Sequence, residues 1–279
     1  MVCYDCPRNC GVNRSKSLGF CHEGEKIRVA KIIENFMWEE PCISGEKGAL
    51  AIFFSGCNLK CSFCQNKAIS HKGKGKIYSS DEFKKLILSY DLSRFSTIDL
   101  ITPTHFSTQL AKAFEGLSLP TPVVWNSSGY EKEDTINKIS SFVNVFLPDF
   151  KYYDDNLSEG LSNANNYFSI TSKAISAMKL NKPQNKFKDG VLQEGVLIRH
   201  LVLPGSTKDS FKILEYIKSS IENPFISLMS QFVPFGDQLN RKLYPLEYKS
   251  VVAHAQKLGL INGYIQEFSS ANEQFVPDF

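Results

Sequence analysis

Long apolar runs are missing from this chain of 279 residues. No stretch approaches the roughly 18 unbroken apolar residues that a membrane-spanning helix needs, so no association with a membrane is expected. The first residues, which include Cys3, Asp5 and Cys6, lack the apolar core of a secretory signal peptide. The sequence therefore predicts a cytoplasmic protein.

The chain also has little excess charge and no low-complexity tract. Its formal net charge is +3, which is too small to argue for a nucleic-acid partner, and none is expected. Hydrophobic residues make up 42% of the chain and charged residues 22%, as in ordinary globular proteins. This length can form one α/β barrel-type domain with an appendage.

Cysteine, by contrast, is well represented, with eight residues. Clustered thiols in a reducing cytosol bind metal or do chemistry more often than they form disulfides. The first group is Cys3, Cys6, Cys10 and Cys21, on a segment too short to fold around its own core, and it predicts a metal site. Four thiolates fit either zinc or a [4Fe–4S] cluster, and their spacing does not separate the two. Cys42 is expected to be a buried thiol.

The second group is Cys57, Cys61 and Cys64, spaced C-x₃-C-x₂-C directly after the apolar run 49–54. Three thiolates can each hold one corner of a [4Fe–4S] cluster, which normally takes four. The open iron would accept a small ligand and predicts a reaction site. Zinc is the alternative, because structural zinc also binds C-x₂-C pairs, although it would need a fourth ligand close by.

Short β-rich runs alternate with helical patterns along the chain. The runs cover 49–54, 98–101, 122–125, 142–147, 196–203 and 225–229. Helices are predicted after the capping-box pattern Ser79-x-x-Glu82, near 168–180, from Ser206 or Thr207 to about Ser220, and from about Leu246 to Gly259.

Six β-then-α units with short connections predict a parallel sheet, which right-handed crossovers curl into a partial (β/α)₆ barrel. This TIM-like barrel is predicted for 47–279, and 1–46 is predicted to be a separate Cys-rich metal-binding segment. Chemistry in such barrels gathers at the carboxyl ends of the strands. The polar motifs found there are Ser55–Cys64, Thr102–His105, Asn126–Gly129, Asp149–Lys151, Pro204–Gly205 and Gln231–Pro234.

Several strings of sequence resemble the radical S-adenosylmethionine (SAM) superfamily. Within it they are most similar to a branch of uncharacterised iron–sulfur proteins that resemble pyruvate formate-lyase activating enzymes. Besides the cysteine triplet, the strings are CxxCPRNCGVNR at 3–14, WEEPCISG at 38–45, FFSGC at 53–57, TPTH at 102–105, NSSGY at 126–130, LPDFKY at 147–152 and IRHLVLPG at 198–205. The resemblance covers nearly the whole chain.

The resemblance implies a radical SAM oxidoreductase that uses two cofactors, a [4Fe–4S] cluster and SAM. One electron from the reduced cluster would cleave SAM into methionine and a 5′-deoxyadenosyl radical, which abstracts hydrogen from a substrate. The implied partners are an electron donor such as flavodoxin or ferredoxin and, as substrate, a glycyl radical enzyme. Another small-molecule or protein substrate is the alternative, and a non-catalytic iron–sulfur electron carrier is a third hypothesis.

The resemblance also implies roles for particular residues. Cys57, Cys61 and Cys64 would bind the cluster, and Phe63 would pack near the adenine unless it is a plain core aromatic. The residues expected to contact SAM are Thr102, Thr104, Asn126, Ser127, Ser128 and Arg199. The residues expected to act on or orient the substrate are Asp149 and Lys151, which match a D-x-K element of activating enzymes, and His105. The alternative for Asp149 and Lys151 is a surface ion pair, and the alternative for His105 is a structural role.

Arg199 interrupts an apolar strand pattern, where an unpaired charge would be costly. Its guanidinium would bind the SAM carboxylate, or form an ion pair with Asp149. The second strand end reads Thr102-Pro103-Thr104-His105, whereas activating enzymes usually have Gly-Gly-Glu-Pro there. The carboxylate that holds the SAM amino group in those enzymes is therefore absent from this position.

Overall fold

A computed structural model describes residues 2–71, 73–234 and 239–270. The helices are α1 (Pro41–Ser44), α2 (Lys67–Ser70), α3 (Ser80–Leu88), α4 (Ser107–Phe114), α5 (Glu133–Ile139), α6 (Asp155–Ser162), α7 (Tyr167–Asn181), α8 (Thr207–Ser220) and α9 (Pro245–Lys257). The strands are β1 (Ile27–Phe36), β2 (Ala49–Phe54), β3 (Lys76–Tyr78), β4 (Thr97–Ile101), β5 (Val123–Ser127), β6 (Val145–Pro148), β7 (Lys186–Lys188), β8 (Val191–Val196), β9 (Ile198–Leu201), β10 (Ile226–Met229) and β11 (Gly263–Ile265). Three short 3-10 turns lie at Leu92–Arg94, Thr104–Phe106 and Phe268–Ser270.

Parallel strands form the centre of the molecule. Strands β2, β4, β5, β6 and β8 are neighbours in one sheet, and β9, β10 and β11 form a second parallel sheet. A parallel bridge between Asp149 and Arg199 links the end of β6 to β9. The predicted α/β fold with a partial parallel barrel is confirmed.

The predicted elements agree with most of the barrel. The predicted run 49–54 coincides with β2. Helices α7, α8 and α9 begin and end within two residues of their predicted bounds. Helix α3 begins with the predicted capping box between Ser79 and Glu82. The prediction of a single strand over 196–203 is wrong, because β8 ends at Val196 and β9 covers Ile198–Leu201. Within 155–195 the sequence predicts one helix, but α6 precedes α7. Helix α6 offers only Leu157 and Leu161 as apolar residues, too few for a clear helical period.

Successive side chains along a β strand pack in two different layers. In β2, Leu50, Ile52 and Phe54 pack in the large core shared with the surrounding helices, while Ala49, Ala51 and Phe53 pack in a separate cluster. Strands therefore present one face to the helices and the other to the barrel interior. In the part of the chain that the structure describes, no helix combines the length and apolar character needed to cross a membrane.

Part of the segment 1–46 belongs to the main sheet. Strand β1 pairs antiparallel with β2 and with β3. Helix α1 follows, and its fully buried Ile43 packs with Val124, Val145 and Leu147 from the barrel strands. The hydroxyl of Thr97, at the start of β4, donates to the carbonyl of Ile43 (2.9 Å). Helix α1 thus fills the barrel interior at the amino-terminal ends of its strands.

Candidate functional site

One cavity opens at the carboxyl ends of the parallel strands. Predicted site residues that line it are Cys57, Phe63, Cys61, Cys64, Thr102, Asn126, Ser127, Ser128, Asp149, Lys151 and Arg199. They come from the ends of β2, β4, β5, β6 and β9, which the parallel order of the sheet brings to the same edge. Residues from five of the six predicted strand-end motifs therefore line one cavity, whereas Pro204–Gly205 does not.

Thr104 and His105 do not line this cavity. Thr104 donates to the buried carboxylate of Glu131 (2.9 Å). His105 is buried, and its Nε2 lies 2.7 Å from the carbonyl oxygen of Ser55. Burial, together with the nearby charge of Arg14, lowers the pKa of His105 to about 3. These contacts describe the structural role that the sequence left open for His105.

The three thiols of the loop after β2 accept or share hydrogen bonds. The backbone N–H of Leu59 donates to Cys57 Sγ (3.3 Å), Ser162 Oγ donates to Cys61 Sγ (2.9 Å), and Cys64 Sγ lies 3.4 Å from Ser70 Oγ. Burial raises the pKa of Cys57 to about 12 and that of Cys61 to about 11. Cys57 and Cys61 are therefore protonated without metal, and metal binding at these two thiols would release protons.

Helix α6, which the sequence did not predict, holds this loop. The backbone N–H groups of Lys60 and Ser62 donate to the carbonyl oxygens of Ser162 (3.1 Å) and Leu161 (2.8 Å). The hydroxyl of Tyr152 lies 2.5 Å from Ser162 Oγ. Because Ser162 also donates to Cys61, a chain of buried hydroxyls ends on a sulfur of the triplet.

Arg199 lies in the barrel interior among acids and an amide. Its Nε donates to Asp149 (3.0 Å), Nη1 to Glu39 (2.9 Å) and Nη2 to Asn126 Oδ1 (2.6 Å). Asp149 also accepts from Lys151 Nζ (2.5 Å). The ion pair with Asp149, the alternative to a SAM carboxylate, is thus present. Although burial opposes ionisation, Lys151 and Arg199 lower the pKa of Asp149, which stays a carboxylate.

Sequence reasoning gave no role to two acids in this network. Glu39 reaches Arg199 from the segment between β1 and α1, and its pKa rises to about 7 through burial, against the opposing effect of Arg199. Asp99 is buried in β4, where burial raises its pKa well above the usual range, and its Oδ1 has no hydrogen-bond partner. A carboxyl group inside the apolar run 98–101 was the available signal for Asp99.

We expect the replacement of Glu39 by glutamine to change how stability depends on pH. In the folded protein the pKa of Glu39 is about 7 against an ordinary 4.5, so the folded state binds more protons between these values. The contribution of Glu39 to the free energy of unfolding therefore falls as pH rises from about 4.5 to about 7. The free energy of unfolding is measured with urea at pH 5 and at pH 7. From pH 5 to pH 7 it should fall less, or rise more, in Glu39→Gln than in wild type. Equal pH dependences would contradict this assignment.

The first cysteine group lies in the segment before β1. Cys3, Cys6 and Cys21 are buried and Cys10 is half-buried. Burial raises the pKa of Cys6 to about 12, and the charges of Cys21, Cys3 and Cys10 add to that rise. A Cβ added to Gly19 would lie 3.5 Å from Cys21 Sγ and 3.6 Å from Cys10 Sγ, so these two thiols are neighbours. Phe20 N–H donates to Cys10 Sγ (3.3 Å).

Neither cysteine group is arranged around an ion. All eight cysteines are free thiols, and within 2–71, 73–234 and 239–270 no group of three or more His, Cys, Asp or Glu residues is arranged so that it could hold a metal ion. The chemistry of the donors nevertheless fits the expected groups, because thiolates are the usual ligands of both zinc and iron–sulfur clusters. Cys42 is fully buried beside Ile43, as expected of a buried thiol.

Comparison with known proteins identifies relatives. Residues 43–162 match the family described as 4Fe-4S single cluster domain. The chain is 30% identical over 277 residues to "Uncharacterized protein MJ0674" of Methanocaldococcus jannaschii, covering 92% of this chain and 75% of that protein. It is 27% identical over 184 residues to the pyruvate formate-lyase-activating enzyme of Clostridium pasteurianum, covering 62% of this chain and 70% of the enzyme.

A solved structure shares the fold. A spore photoproduct lyase mutant superposes with a TM-score of 0.51 at 11% identity, over 77% of this chain and 74% of that one. The cysteine triplet at the mouth of a partial parallel barrel, the 4Fe-4S domain match and the relatives agree. The chain belongs to the radical SAM superfamily, among the iron–sulfur proteins that resemble pyruvate formate-lyase activating enzymes.

Proposed function

We propose that this chain cleaves SAM reductively and directs the resulting radical to a substrate. The observation that carries the proposal is the position of Cys57, Cys61 and Cys64 at the edge of the cavity lined by the strand ends. When bound, a [4Fe–4S] cluster and SAM supply an electron and a 5′-deoxyadenosyl radical that abstracts hydrogen. The protein contributes binding, orientation and the exclusion of side reactions.

The three cysteines would hold the cluster, and neighbouring residues would orient SAM. Phe63 is buried beside Phe232, with ring centroids 5.8 Å apart, and both line the cavity, where an adenine could pack. Thr102 and the turn 126–128 offer polar groups on the same cavity. Thr104 is proposed to contribute only through Glu131, which also accepts from Ser127 Oγ (2.9 Å).

Arg199 would take the SAM carboxylate only by exchanging partners. Its three nitrogens already donate to Asp149, Glu39 and Asn126. Among these partners Glu39 is the one whose pKa is raised, to about 7. Protonation of Glu39 would weaken its ion pair and free one side of the guanidinium for a ligand carboxylate.

For the substrate we propose a glycyl radical enzyme, with Asp149 and Lys151 beside the reacting group and flavodoxin or ferredoxin as reductant. The similarity to a pyruvate formate-lyase-activating enzyme supports this choice. The sequence Thr102-Pro103-Thr104-His105, which offers no carboxylate at the second strand end, favours the alternative of another small-molecule or protein substrate. We further propose a metal at Cys3, Cys6, Cys10 and Cys21, and a cytoplasmic location for these reduced thiols.

The test is anaerobic. The protein is reconstituted with iron and sulfide, reduced and mixed with SAM, and 5′-deoxyadenosine is quantified. We expect product from wild type and from Cys42→Ala, which removes a buried thiol outside both groups, and background levels from Cys57→Ala. Absence of product from wild type with a fully loaded cluster would contradict the proposal and favour the electron-carrier hypothesis.

The hydroxyl chain on Cys61 gives a second prediction. A hydrogen bond to a cluster sulfur stabilises the more negative, reduced state and raises its potential. Ser162→Ala removes the donor at 2.9 Å, so we expect a more negative midpoint potential in an EPR-monitored redox titration, and restoration by Ser162→Thr. The matched control is Ser158→Ala on the same helix, whose hydroxyl bonds to the carbonyls of Asp155 and Ala164 instead. Equal shifts in both alanine variants would disprove the assignment.

A further inference from the structure

We infer that the four cysteines of the N-terminal segment hold a second [4Fe–4S] cluster, which delivers electrons to the cluster at Cys57, Cys61 and Cys64. The sequence leaves zinc and a cluster open for this site, and a sequence alone does not say where the segment lies. The structure places it directly against the loop that carries the triplet. This position is the observation on which the inference depends.

The contact between the two cysteine groups is a backbone contact. An added Cβ on Gly56 would lie 2.5 Å from the carbonyl oxygen of Cys21, so the chain next to Cys57 touches the chain at Cys21. Summing standard backbone dimensions along this contact bounds the distance between the Cys21 and Cys57 Cα atoms at about 10 Å. Arg8, between Cys6 and Cys10, donates from Nε to the carbonyl of Asn58 (2.8 Å).

Positive side chains lie between the two groups. Lys60 directly precedes Cys61 in the triplet loop, and its Nζ donates to the carbonyl of Ser70 (3.4 Å). Its Nζ also lies 5.8 Å from the ring of Phe20, over which the Arg8 guanidinium stacks at 3.8 Å. Two clusters ligated by thiolates are both negatively charged, and cations between them reduce their mutual repulsion.

The segment does not depend on metal alone for its attachment. Asp5 accepts from Thr108 Oγ1 (2.5 Å) and, through its carbonyl, from Thr135 (2.8 Å), while Arg14 Nη1 donates to the carbonyl of His105. A zinc whose role is to fasten a cap would add little to these contacts. Tyr4 and Leu18 are 56% and 61% exposed, so the outer side of the segment presents apolar surface to a donor protein.

The transfer involves electrons only. A reduced ferredoxin or flavodoxin is oxidised by one electron, the N-terminal cluster is reduced from 2+ to 1+, and the same electron then reduces the cluster at Cys57, Cys61 and Cys64 while the N-terminal cluster returns to 2+. No bond forms or breaks, and no proton moves. The inference rests on the proposed function only in assigning SAM cleavage as the use of that electron.

The first test asks which metal is bound. In a chain carrying Cys57→Ala, Cys61→Ala and Cys64→Ala, anaerobic reconstitution with iron, sulfide and zinc together should leave about four iron atoms per chain and, after reduction, the EPR signal of a [4Fe–4S]⁺ cluster. Wild type should bind about twice as much iron. One zinc per chain with no iron in the triple variant, or wild-type iron equal to one cluster, would overturn the inference. SAM is absent, so the result is independent of the proposed function.

The second test asks whether the N-terminal cluster transfers electrons to the cluster at Cys57, Cys61 and Cys64. Cys10→Ser changes the least buried of the four thiols and is compared with wild type by stopped-flow absorbance of the cluster at the triplet. We expect slower reduction by reduced ferredoxin or flavodoxin, by at least about tenfold, with unchanged reduction by dithionite, a small reductant that needs no docking. Equal rates with the protein donor in a variant that has lost its N-terminal iron would overturn the relay, and the triple variant still decides the metal if Cys10→Ser does not fold.

Discussion

Replacing Arg199 with alanine is expected to lower the free energy of unfolding by about 3 to 5 kcal/mol, the usual loss when one partner of a buried ion pair is removed. The guanidinium is 11% exposed and binds Glu39 and Asp149 at 2.9 and 3.0 Å. Without it Asp149 keeps only Lys151 as a cationic partner, and the buried Glu39 and Asn126 each lose a hydrogen-bond donor. Urea unfolding at pH 7 measures the loss.

A matched arginine gives the control for this prediction. Arg241 binds Glu247 at 2.7 Å, but it is 36% exposed, so Arg241→Ala should lower the free energy of unfolding by only about 0 to 1 kcal/mol. Adding Glu39→Gln to Arg199→Ala removes a buried ionisable carboxyl group that has lost its cationic partner, and should recover part of the loss. Similar losses for both arginines, with no recovery in the double variant, would show that the buried network adds nothing to stability.

Replacing Gly56 with alanine is expected to destabilise the loop after β2 and to detach the N-terminal segment. The residue has φ +78°, and its added Cβ would lie 2.5 Å from the carbonyl oxygen of Cys21 and 2.7 Å from Glu23 Cγ. A left-handed backbone alone costs a non-glycine residue about 1 to 3 kcal/mol, and the clash with main-chain atoms adds to it. We expect a loss above 3 kcal/mol in urea unfolding and faster hydrogen exchange in residues 2–26.

Gly116 separates these two causes. It also has a positive φ, +70°, yet nothing lies within 4 Å of its added Cβ. Gly116→Ala should therefore show the backbone strain alone, about 1 to 3 kcal/mol. If Gly56→Ala were no more destabilising than Gly116→Ala, or if exchange in 2–26 stayed at wild-type rates, the N-terminal segment would not be packed on the triplet loop as described.

The barrel was predictable wherever a strand is apolar throughout. Strand β2 is six buried apolar residues followed by Ser55-Gly56, and its prediction is correct to the residue. Strand β1 was not predicted, because Arg28, Lys31 and Glu34 interrupt its apolar residues and it lies second from the edge of the sheet, between β3 and β2. Helix α6 was missed because its stability comes from packing on the triplet loop rather than from its own pattern.

The sequence was enough to predict which strand ends form the site, but not which side chains contact one another there. Parallel topology alone explains why residues as distant as Cys57 and Arg199 share a cavity. The contact between Glu39 and Arg199 depends on helix α1 entering the barrel, which no local pattern shows. His105 turned inward because the 3-10 turn Thr104–Phe106 places it against Ser55.

The attachment of the N-terminal segment has a consequence for biosynthesis. Its contacts reach far along the chain: Lys132 donates to the carbonyl of Tyr4, and Thr135 to that of Asp5. A ribosome therefore releases the first four cysteines well before the surface that receives them has been translated. The thiols at 3, 6 and 21 therefore reach the buried positions described above only after residues 132 to 135 have been translated.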